Sequence, residues 1–193
     1  GDIGTFSFST VKVFGSFGNA GAIVVKNKNF LNKLISLRTC GTINREICQF
    51  PELKFDIDPV HAAHIRENFN VYNFLKNKRL GIAKRYYSNL SDEIQNLPKI
   101  EKEYNHTFYD FTVLVENRKK VIEYFYEKGI EVKVRHPILI NKQPVFKDLK
   151  KIKLPKAEFY VDKILSLPMH YNLKNSEIDY VCEHLIKAKN LFG

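Results

Sequence analysis

The first 25 residues alternate between apolar side chains and small or hydroxyl-bearing ones. From Thr5 to Ser9 the alternation predicts a β-strand, because successive side chains of a strand point to opposite faces of the sheet. A second apolar run, 22–25, predicts another strand, and the stretch between the two runs is rich in glycine. Lys12 lies in that loop. A lysine in this position is either a solvated surface charge or an amine with a chemical role.

Two helices are predicted where apolar residues recur at helical spacing. The first follows Asn29, the predicted N-cap, and ends near Gly41. The second begins at Asp-Pro, 58–59, which is an N-cap followed by proline at the first helical position. Between them no period is visible, and a loop is expected. The second stripe continues for about thirty residues, a length that usually joins two lobes, although Gly81 is a point where the helix can break.

The chain after residue 105 has the pattern of a compact α/β domain. Asn117 is the predicted N-cap of its first helix, and Gly129 is placed to end that helix in the left-handed conformation. The segment 166–168, which ends in proline, is expected to break the chain between two later helices. The predicted strands and helices are 108–115, 118–128, 130–134, 155–165 and a last helix that begins at 176.

Composition places the chain among soluble globular proteins, with 193 residues, 44% of them apolar and 27% charged. No apolar run reaches the roughly 20 residues of a membrane span, and no signal peptide is visible. The chain starts with Gly rather than Met, which suggests a fragment or a processed chain.

Cys40, Cys48 and Cys182 form no CxxC pair and are expected to be reduced thiols of a cytoplasmic protein. The net charge of +10 is spread along the chain, and nucleic-acid binding is not expected.

The histidines give two candidate sites of unequal strength. His61 and His64 are three residues apart on a predicted helix, but no third metal ligand has matching spacing. We interpret them as helix surface or packing residues and expect no metal site. Arg135 and His136 directly follow a predicted strand, where side chains often face a substrate, although an ordinary surface position is the commoner explanation.

The Lys12 segment also carries hydroxyls. Ser7 and Ser9 fall on one face of the predicted strand, with Phe6 and Phe8 on the other. Hydroxyls beside a lysine suit pyridoxal phosphate, because the cofactor needs phosphate donors and an amine that forms a Schiff base.

Several segments in order along the chain resemble the DegT/DnrJ/StrS family of pyridoxal phosphate-dependent nucleotide-sugar aminotransferases. The most specific are the opening Gly-Asp-Ile-Gly-Thr-Phe-Ser-Phe, followed four residues later by Lys12, and the Leu-Ser-Leu-Pro segment, 165–168. The others are the glycines of 15–21, the helix start at 58–63, the Lys-Arg to Tyr-Tyr stretch at 78–87, the Gly-Ile to Pro stretch at 129–137, Gln-Pro at 143–144 and the ending at 177–181. The likeness covers essentially the whole chain.

The resemblance implies an α/β protein, a fold-type I transferase that is normally a homodimer with sites at the subunit interface. Residues 1–57 are then the end of the large doubly wound domain, and 58–193 are the bridging helix and the small C-terminal α/β domain. Lys12 corresponds to the Schiff-base lysine and Ser7 to a serine that contacts the cofactor phosphate. The implied reaction moves an amino group, typically from glutamate, onto a keto sugar linked to a nucleotide.

Two local departures concern binding residues. Before the long helix the family often has Asn-Tyr-Arg, which reaches the neighbouring subunit's cofactor. Here the same places hold Lys54, Phe55 and Asp56, so that only Lys54 still offers a positive charge to a phosphate. The family's His-Tyr-Pro is replaced by Arg-His-Pro at 135–137, and Asn141 stands at a later histidine position. Arg135 and His136 remain the candidate substrate-binding residues.

The third departure is that the sequence covers only part of the family's length. The family carries an N-terminal half with the aspartate that pairs with the pyridine nitrogen, and this sequence does not contain it. The chain by itself is therefore expected to be inactive. Two alternatives stay open: a dehydratase of the same family, against which Lys12 argues because those members carry histidine there, and a non-catalytic remnant that acts as a partner chain.

Overall fold

The computed structural model describes residues 1–95, 97–100, 104–146 and 152–193. Its helices are α1 (Lys28–Arg38), α2 (Pro59–Leu90), α3 (Arg118–Glu127), α4 (Pro155–Val161) and α5 (Asn175–Phe192), with a 3-10 turn at Ile140–Lys142. Its strands are β1 (Ile3–Ser7), β2 (Gly21–Val25), β3 (Thr42–Ile43), β4 (Ile47–Cys48), β5 (Phe111–Leu114) and β6 (Ile164–Leu167). Contacts divide the chain into two compact units, Gly1–Phe74 and Leu75–Gly193, which we call the lysine unit and the core unit.

The long helix starts as its sequence predicts and does not break. The Asp58 carboxylate accepts a hydrogen bond from the Val60 backbone N–H at 2.8 Å, which satisfies one of the free donors of the first turn. Gly81 lies inside continuous helix. The division between the two units falls within α2, so its first half belongs to the lysine unit. The predicted domain boundary at residue 57 stays a prediction.

The predicted N-cap of α1 is at the wrong residue, whereas Asn117 occupies the N-cap position of α3 as predicted but without a capping side-chain bond. The N-cap of α1 is Asn27, whose side chain accepts from the Asn29 N–H at 2.9 Å, so the helix starts two residues earlier than expected. Asn117 makes no side-chain cap and instead donates to the Phe192 carbonyl at 2.5 Å. Gly129 ends α3 with a φ of +69°, as predicted.

The strands of the described residues form three antiparallel pairs. β1 pairs with β2, with Thr5 opposite Ile23, and β5 pairs with β6. The loop expected before α2 contains the small β3–β4 pair, whose turn includes Asn44 and Arg45 with φ values of 51° and 62°. Propensity does not reveal this pair because both turn residues are non-glycine residues in the left-handed region.

Three further differences lie in the C-terminal part of the chain. The helix expected at 155–165 ends at Val161, because residues 164–167 form strand β6. The expected break at 166–168 is wrong in part, because residues up to Leu167 are strand β6. Leu165, Ser166 and Leu167 are all buried opposite β5, and a strand with consecutive buried residues lacks the alternation that a sequence pattern detects. The strand expected at 130–134 is reduced to one bridge, between Lys133 and Ser166.

The core unit has a closed apolar core. Alternate residues of β5 point inward, among them Phe111 and Val113, and α3 and α5 pack against each other. The largest side chains that are fully buried here are Tyr86, Leu90, Phe111, Val113, Val121, Phe125, Leu165, Ile178 and Leu185. Each contributes about 1.5–3 kcal/mol relative to an exposed position.

The lysine unit differs, because Ile65 is the only apolar side chain of residues 1–74 that is buried. Both faces of the β1–β2 pair carry large exposed groups, Phe6 at 54% on one face and Ile23 at 52% on the other. None of the helices within the described ranges is both long and apolar enough to cross a membrane.

Candidate functional site

Lys12 lies in the loop that joins β1 to β2, and backbone hydrogen bonds hold that loop in shape. The Phe8 N–H donates to the Ala20 carbonyl at 2.8 Å and closes the base of the loop. The Ser16 N–H donates to Phe8 at 2.7 Å, and the Lys12 N–H donates to Ser9 at 2.9 Å. The lysine therefore sits on a tight turn that directly follows β1, with its side chain exposed.

Gly15 is required by this turn. A Cβ at that position would lie 2.6 Å from the Ser9 carbonyl and 3.2 Å from the carbonyls of Thr10 and Lys12. These neighbours are backbone atoms, which cannot rotate away. The glycine in the family-like segment therefore serves the close approach of two chain segments around Lys12.

The loop packs on the first half of α2 through aromatic rings and one amide. The Phe14 ring centroid lies 4.6 Å from that of Phe69 and 5.5 Å from that of Tyr72. The Asn68 side chain donates to the Gly15 carbonyl at 3.0 Å, which ties the turn to the helix. Sequence reasoning missed Asn68, although the spacing of His61, His64 and Asn68 places all three on one helix face.

Both histidines of α2 are packing residues, as interpreted from the sequence. The His64 ring stacks on Phe17 with centroids 3.7 Å apart, and its Nε2 lies 3.0 Å from the Asn68 amide. His61 lies against Gly18, where a Cβ would come within 2.5 Å of the imidazole. Among the described residues, no group of three or more metal-ligating side chains comes together.

The hydroxyls near Lys12 suit a phosphate-bearing cofactor. Ser7 and Ser9 share one face of the strand end, with their Oγ atoms 3.5 Å apart. Ser16, which sequence reasoning did not single out, is only 5% exposed, and its Oγ has no hydrogen-bond partner among the described residues. An exposed amine, two surface hydroxyls and an orphaned buried hydroxyl in one loop fit the requirements of pyridoxal phosphate.

Lys54 lies elsewhere in the lysine unit, beside the end of α1. Its backbone forms an isolated antiparallel bridge with Thr39, and its Nζ is 4.0 Å from the Asp56 carboxylate. Arg38 reaches the same carboxylate at 3.4 Å. Asp56 therefore forms ion pairs with both cations. All three side chains are exposed, so these ion pairs are weak.

Arg135 belongs to the core unit and is held within it. Its guanidinium pairs with the Asp110 carboxylate at 3.1 Å and lies 4.9 Å from the centroid of the Tyr109 ring. The backbone just before Asp110 is held by Arg79, which is buried and donates to the carbonyls of Phe108 and Tyr109. Burial lowers the pKa of Arg79, while the nearby Asp110 opposes that shift. An anionic substrate group would have to compete with Asp110 for Arg135.

His136, the other predicted substrate residue, is exposed and has a φ of +49°. This left-handed conformation is uncommon for histidine and turns the chain sharply after Arg135. The structure thus places Ser7 and Lys12 in one segment of the lysine unit. It places Arg135 and His136 next to each other in the core unit.

Residues 1–186 match the DegT/DnrJ/EryC1/StrS aminotransferase family. The chain belongs to this family. Members are aminotransferases that depend on pyridoxal phosphate, and the fold is the C-terminal part of the fold-type I architecture, as the sequence predicts.

Two curated relatives show how this DegT/DnrJ/EryC1/StrS chain compares in length and identity. It is 28% identical to the UDP-N-acetyl-3-dehydro-alpha-D-glucosamine 3-aminotransferase of Acidithiobacillus ferrooxidans, over 92% of this chain and 48% of the relative. It is 27% identical to a pleiotropic regulatory protein of Geobacillus stearothermophilus, over 100% of this chain and 53% of the relative. The chain spans about half the length of the curated relatives it matches.

The fold of the chain is also similar to that of a solved structure. The chain is 27% identical to NtdA of Bacillus subtilis, which was determined with bound cofactor PMP, and the TM-score is 0.79. The alignment covers 96% of this chain and 46% of NtdA.

Proposed function

We propose that this chain supplies the lysine-bearing half of an aminotransferase that moves an amino group, from a donor such as glutamate, onto a nucleotide-linked keto sugar. The observation that carries the proposal is the position of Lys12 on a tight glycine-dependent turn after β1, within a family match that covers residues 1–186. The printed activity of the Acidithiobacillus relative supports a nucleotide sugar as the substrate class.

Three residues of the lysine unit are assigned to the cofactor. The Lys12 amine would be the covalent attachment point and, once released, the base that carries a proton at its Nζ. The Ser7 hydroxyl would donate to the phosphate, and Lys54, from a neighbouring subunit, would add positive charge near it. When bound, pyridoxal phosphate supplies an electron sink for the carbon that loses its proton.

Arg135 and His136 are assigned to the substrate. A guanidinium matches the planar oxygens of a carboxylate or phosphate, which the amino donor or the nucleotide provides. The ion pair with Asp110 keeps the Arg135 side chain in one orientation before substrate arrives. His136 follows on a turn that exposes its ring.

The assembly and location are further parts of the proposal. We infer a homodimer, because the lysine unit leaves large apolar side chains such as Phe17 and Ile23 exposed. We infer a cytoplasmic protein, because its three cysteines are all unpaired and a reducing compartment keeps them so. No nucleic-acid partner is proposed.

The test is a trapping experiment on Lys12. The chain is mixed with pyridoxal phosphate and reduced with borohydride, and the modified peptide is mapped by mass spectrometry. We expect a phosphopyridoxyl group on Lys12 and its loss in Lys12→Ala. Lys26→Ala, which removes an exposed lysine just after β2, is the matched control and should keep the label on Lys12.

The opposite results are equally clear. A label spread over surface lysines in the same amount with and without Lys12→Ala would reject the assignment of Lys12. It would favour the alternative of a chain that acts only as a partner.

A further inference from the structure

Two cysteines flank the β3–β4 hairpin of the lysine unit. Cys40 lies between the end of α1 and β3, and Cys48 is the last residue of β4. The Cys48 Sγ lies 3.6 Å from the Cys40 backbone carbonyl and 3.4 Å from that of Phe50. Both cysteines are exposed. The sulfur of one cysteine is therefore next to the backbone of the other, in reach of small oxidants.

The hairpin backbone keeps the two positions together. Thr42 is directly opposite Cys48 in the β3–β4 register, and the Gln49 N–H donates to the Gly41 carbonyl at 2.9 Å. Cys40 has a φ of +59°, so the chain turns there and returns alongside β4. In this register Cys40 lies two residues before Thr42 and is therefore diagonal to Cys48, so the chain at Cys40 must move toward β4 before the two sulfurs can bond.

We propose that Cys40 and Cys48 form a reversible intrachain disulfide, which makes the hairpin a redox-sensitive element. Each thiol gives up one proton and one electron, and an S–S bond forms. The oxidant is hydrogen peroxide, whose O–O bond breaks to give two waters, or a small-molecule disulfide, which is released as two thiols. The inference does not depend on the aminotransferase activity.

The third cysteine provides an internal contrast. Cys182 is 2% exposed in the core unit, and burial raises the pKa of its thiol to about 11. A buried thiol with a high pKa is seldom ionised and reacts slowly with oxidants. Cys182 is therefore an internal control that should stay reduced when Cys40 and Cys48 are oxidised.

The cross-link would also reach beyond the hairpin. Its ring encloses Thr42, Ile43 and Asn44, which line a cavity of about 520 Å³ together with residues of α1 such as Ser36. Thr39, next to Cys40, forms the backbone bridge with Lys54. Oxidation is therefore expected to slow amide exchange at Gln49, whose N–H closes the base of the hairpin.

The experiment measures free thiols and mass in the 193-residue chain. Before oxidation, a thiol reagent should react with two of the three cysteines under native conditions. After treatment with glutathione disulfide or dilute hydrogen peroxide, we expect no reactive thiol in the native chain. Denaturation should then expose a single thiol, that of Cys182. The intact mass should fall by about 2 Da, and dithiothreitol should restore it.

Variants decide whether the pair is the cause. Cys40→Ser and Cys48→Ser should each abolish the mass loss, while Cys182→Ser should retain it. A peptide that joins residues 40 and 48 in the oxidised wild type would complete the support. Cross-linked dimers on a non-reducing gel, a bridge to Cys182, or separate oxygen addition of about 16 Da per cysteine would each overturn the proposal.

Discussion

The two units of the chain obtain their order in different ways. The core unit closes a continuous apolar core in which nine large side chains, including Phe125 and Leu165, are almost completely buried. The lysine unit buries Ile65 alone among its apolar residues, and its loop is ordered by backbone hydrogen bonds, ring contacts and Asn68. The residue with the clearest chemical assignment, Lys12, thus lies in the unit that buries fewer apolar side chains. This agrees with the general use of loops on a scaffold for binding and chemistry.

The largest expected effect contrasts truncations of one apolar side chain in each unit. Phe125→Ala should destabilise the core unit by about 3–5 kcal/mol, because it removes a ring that is fully buried. Ile23→Ala should change stability by less than about 0.5 kcal/mol, because Ile23 is 52% exposed. Urea unfolding followed by residue-specific hydrogen exchange measures both units separately. Equal losses of stability in Phe125→Ala and Ile23→Ala would contradict the difference in burial between the two units.

The next effect concerns the Lys12 loop itself. Gly15→Ala should cost the lysine unit about 1–3 kcal/mol, because its Cβ would lie 2.6 Å from a backbone carbonyl. Amide exchange at Ser16 should accelerate, and trapping of pyridoxal phosphate at Lys12 should weaken.

Gly18→Ala is the matched control for that change. Its Cβ meets the His61 side chain instead of backbone, and His61→Ala should relieve most of the cost. If Gly15→Ala left both exchange and trapping unchanged, the tight turn would not be what positions Lys12.

A glycine on the other side of the unit boundary should respond in the opposite direction. Gly81 lies inside α2, and a Cβ there meets no atom within 4 Å. Gly81→Ala should therefore stabilise the helix by about 0.5–1 kcal/mol, since glycine is a poor helix former. Thermal unfolding of the core unit measures the gain. A loss of stability instead would mean that α2 needs the flexibility of this glycine.

The smallest expected effect is a pH dependence confined to the core unit. His184 is 7% exposed, and its ring nitrogen lies 2.7 Å from the Tyr124 hydroxyl. Burial lowers the pKa of His184, and Lys187 and Lys128 add to the shift while Glu183 opposes it. The folded state then binds fewer protons than the unfolded state. Its stability is complete above the unfolded pKa, about 6.5, and declines as the pH falls below that value.

Denaturant unfolding between pH 5 and 8 checks this dependence. His184→Gln should flatten it, because glutamine keeps a polar partner for Tyr124 without titrating. His170→Gln changes an exposed histidine and should leave the dependence as it is. A decline that survives His184→Gln would assign it to another group.

Local sequence signals predicted several elements because their causes are local. Asp58 and Pro59 start α2, and Gly129 ends α3, through bonds to neighbours within a few residues. The Lys12 loop was predicted for the same reason, since glycines and two short apolar runs mark a hairpin. The signals failed where a distant partner decides. Asn117 occupies the N-cap position of α3, but its side chain donates to the carbonyl of Phe192, which is distant in sequence.

The candidate site shows the same limit. Ser7 and Lys12 could be selected from the sequence because they belong to one short segment whose residue order resembles that of the family. Asn68 and Ser16 could not, because their importance comes from the loop folding back onto α2. For Arg135, the sequence indicated a charge after a strand, and the structure added its ion pair with Asp110.

The sequence by itself determined the family, the position of the lysine and the start of the long helix, since each depends on residue identities within a short span. Only the tertiary structure decided that β6 is a buried strand, that Arg135 is paired, and that the sulfur of Cys48 lies beside the backbone of Cys40. These features join residues far apart in sequence or across a turn. Their energies come from burial and pairing, which no local pattern of residues encodes.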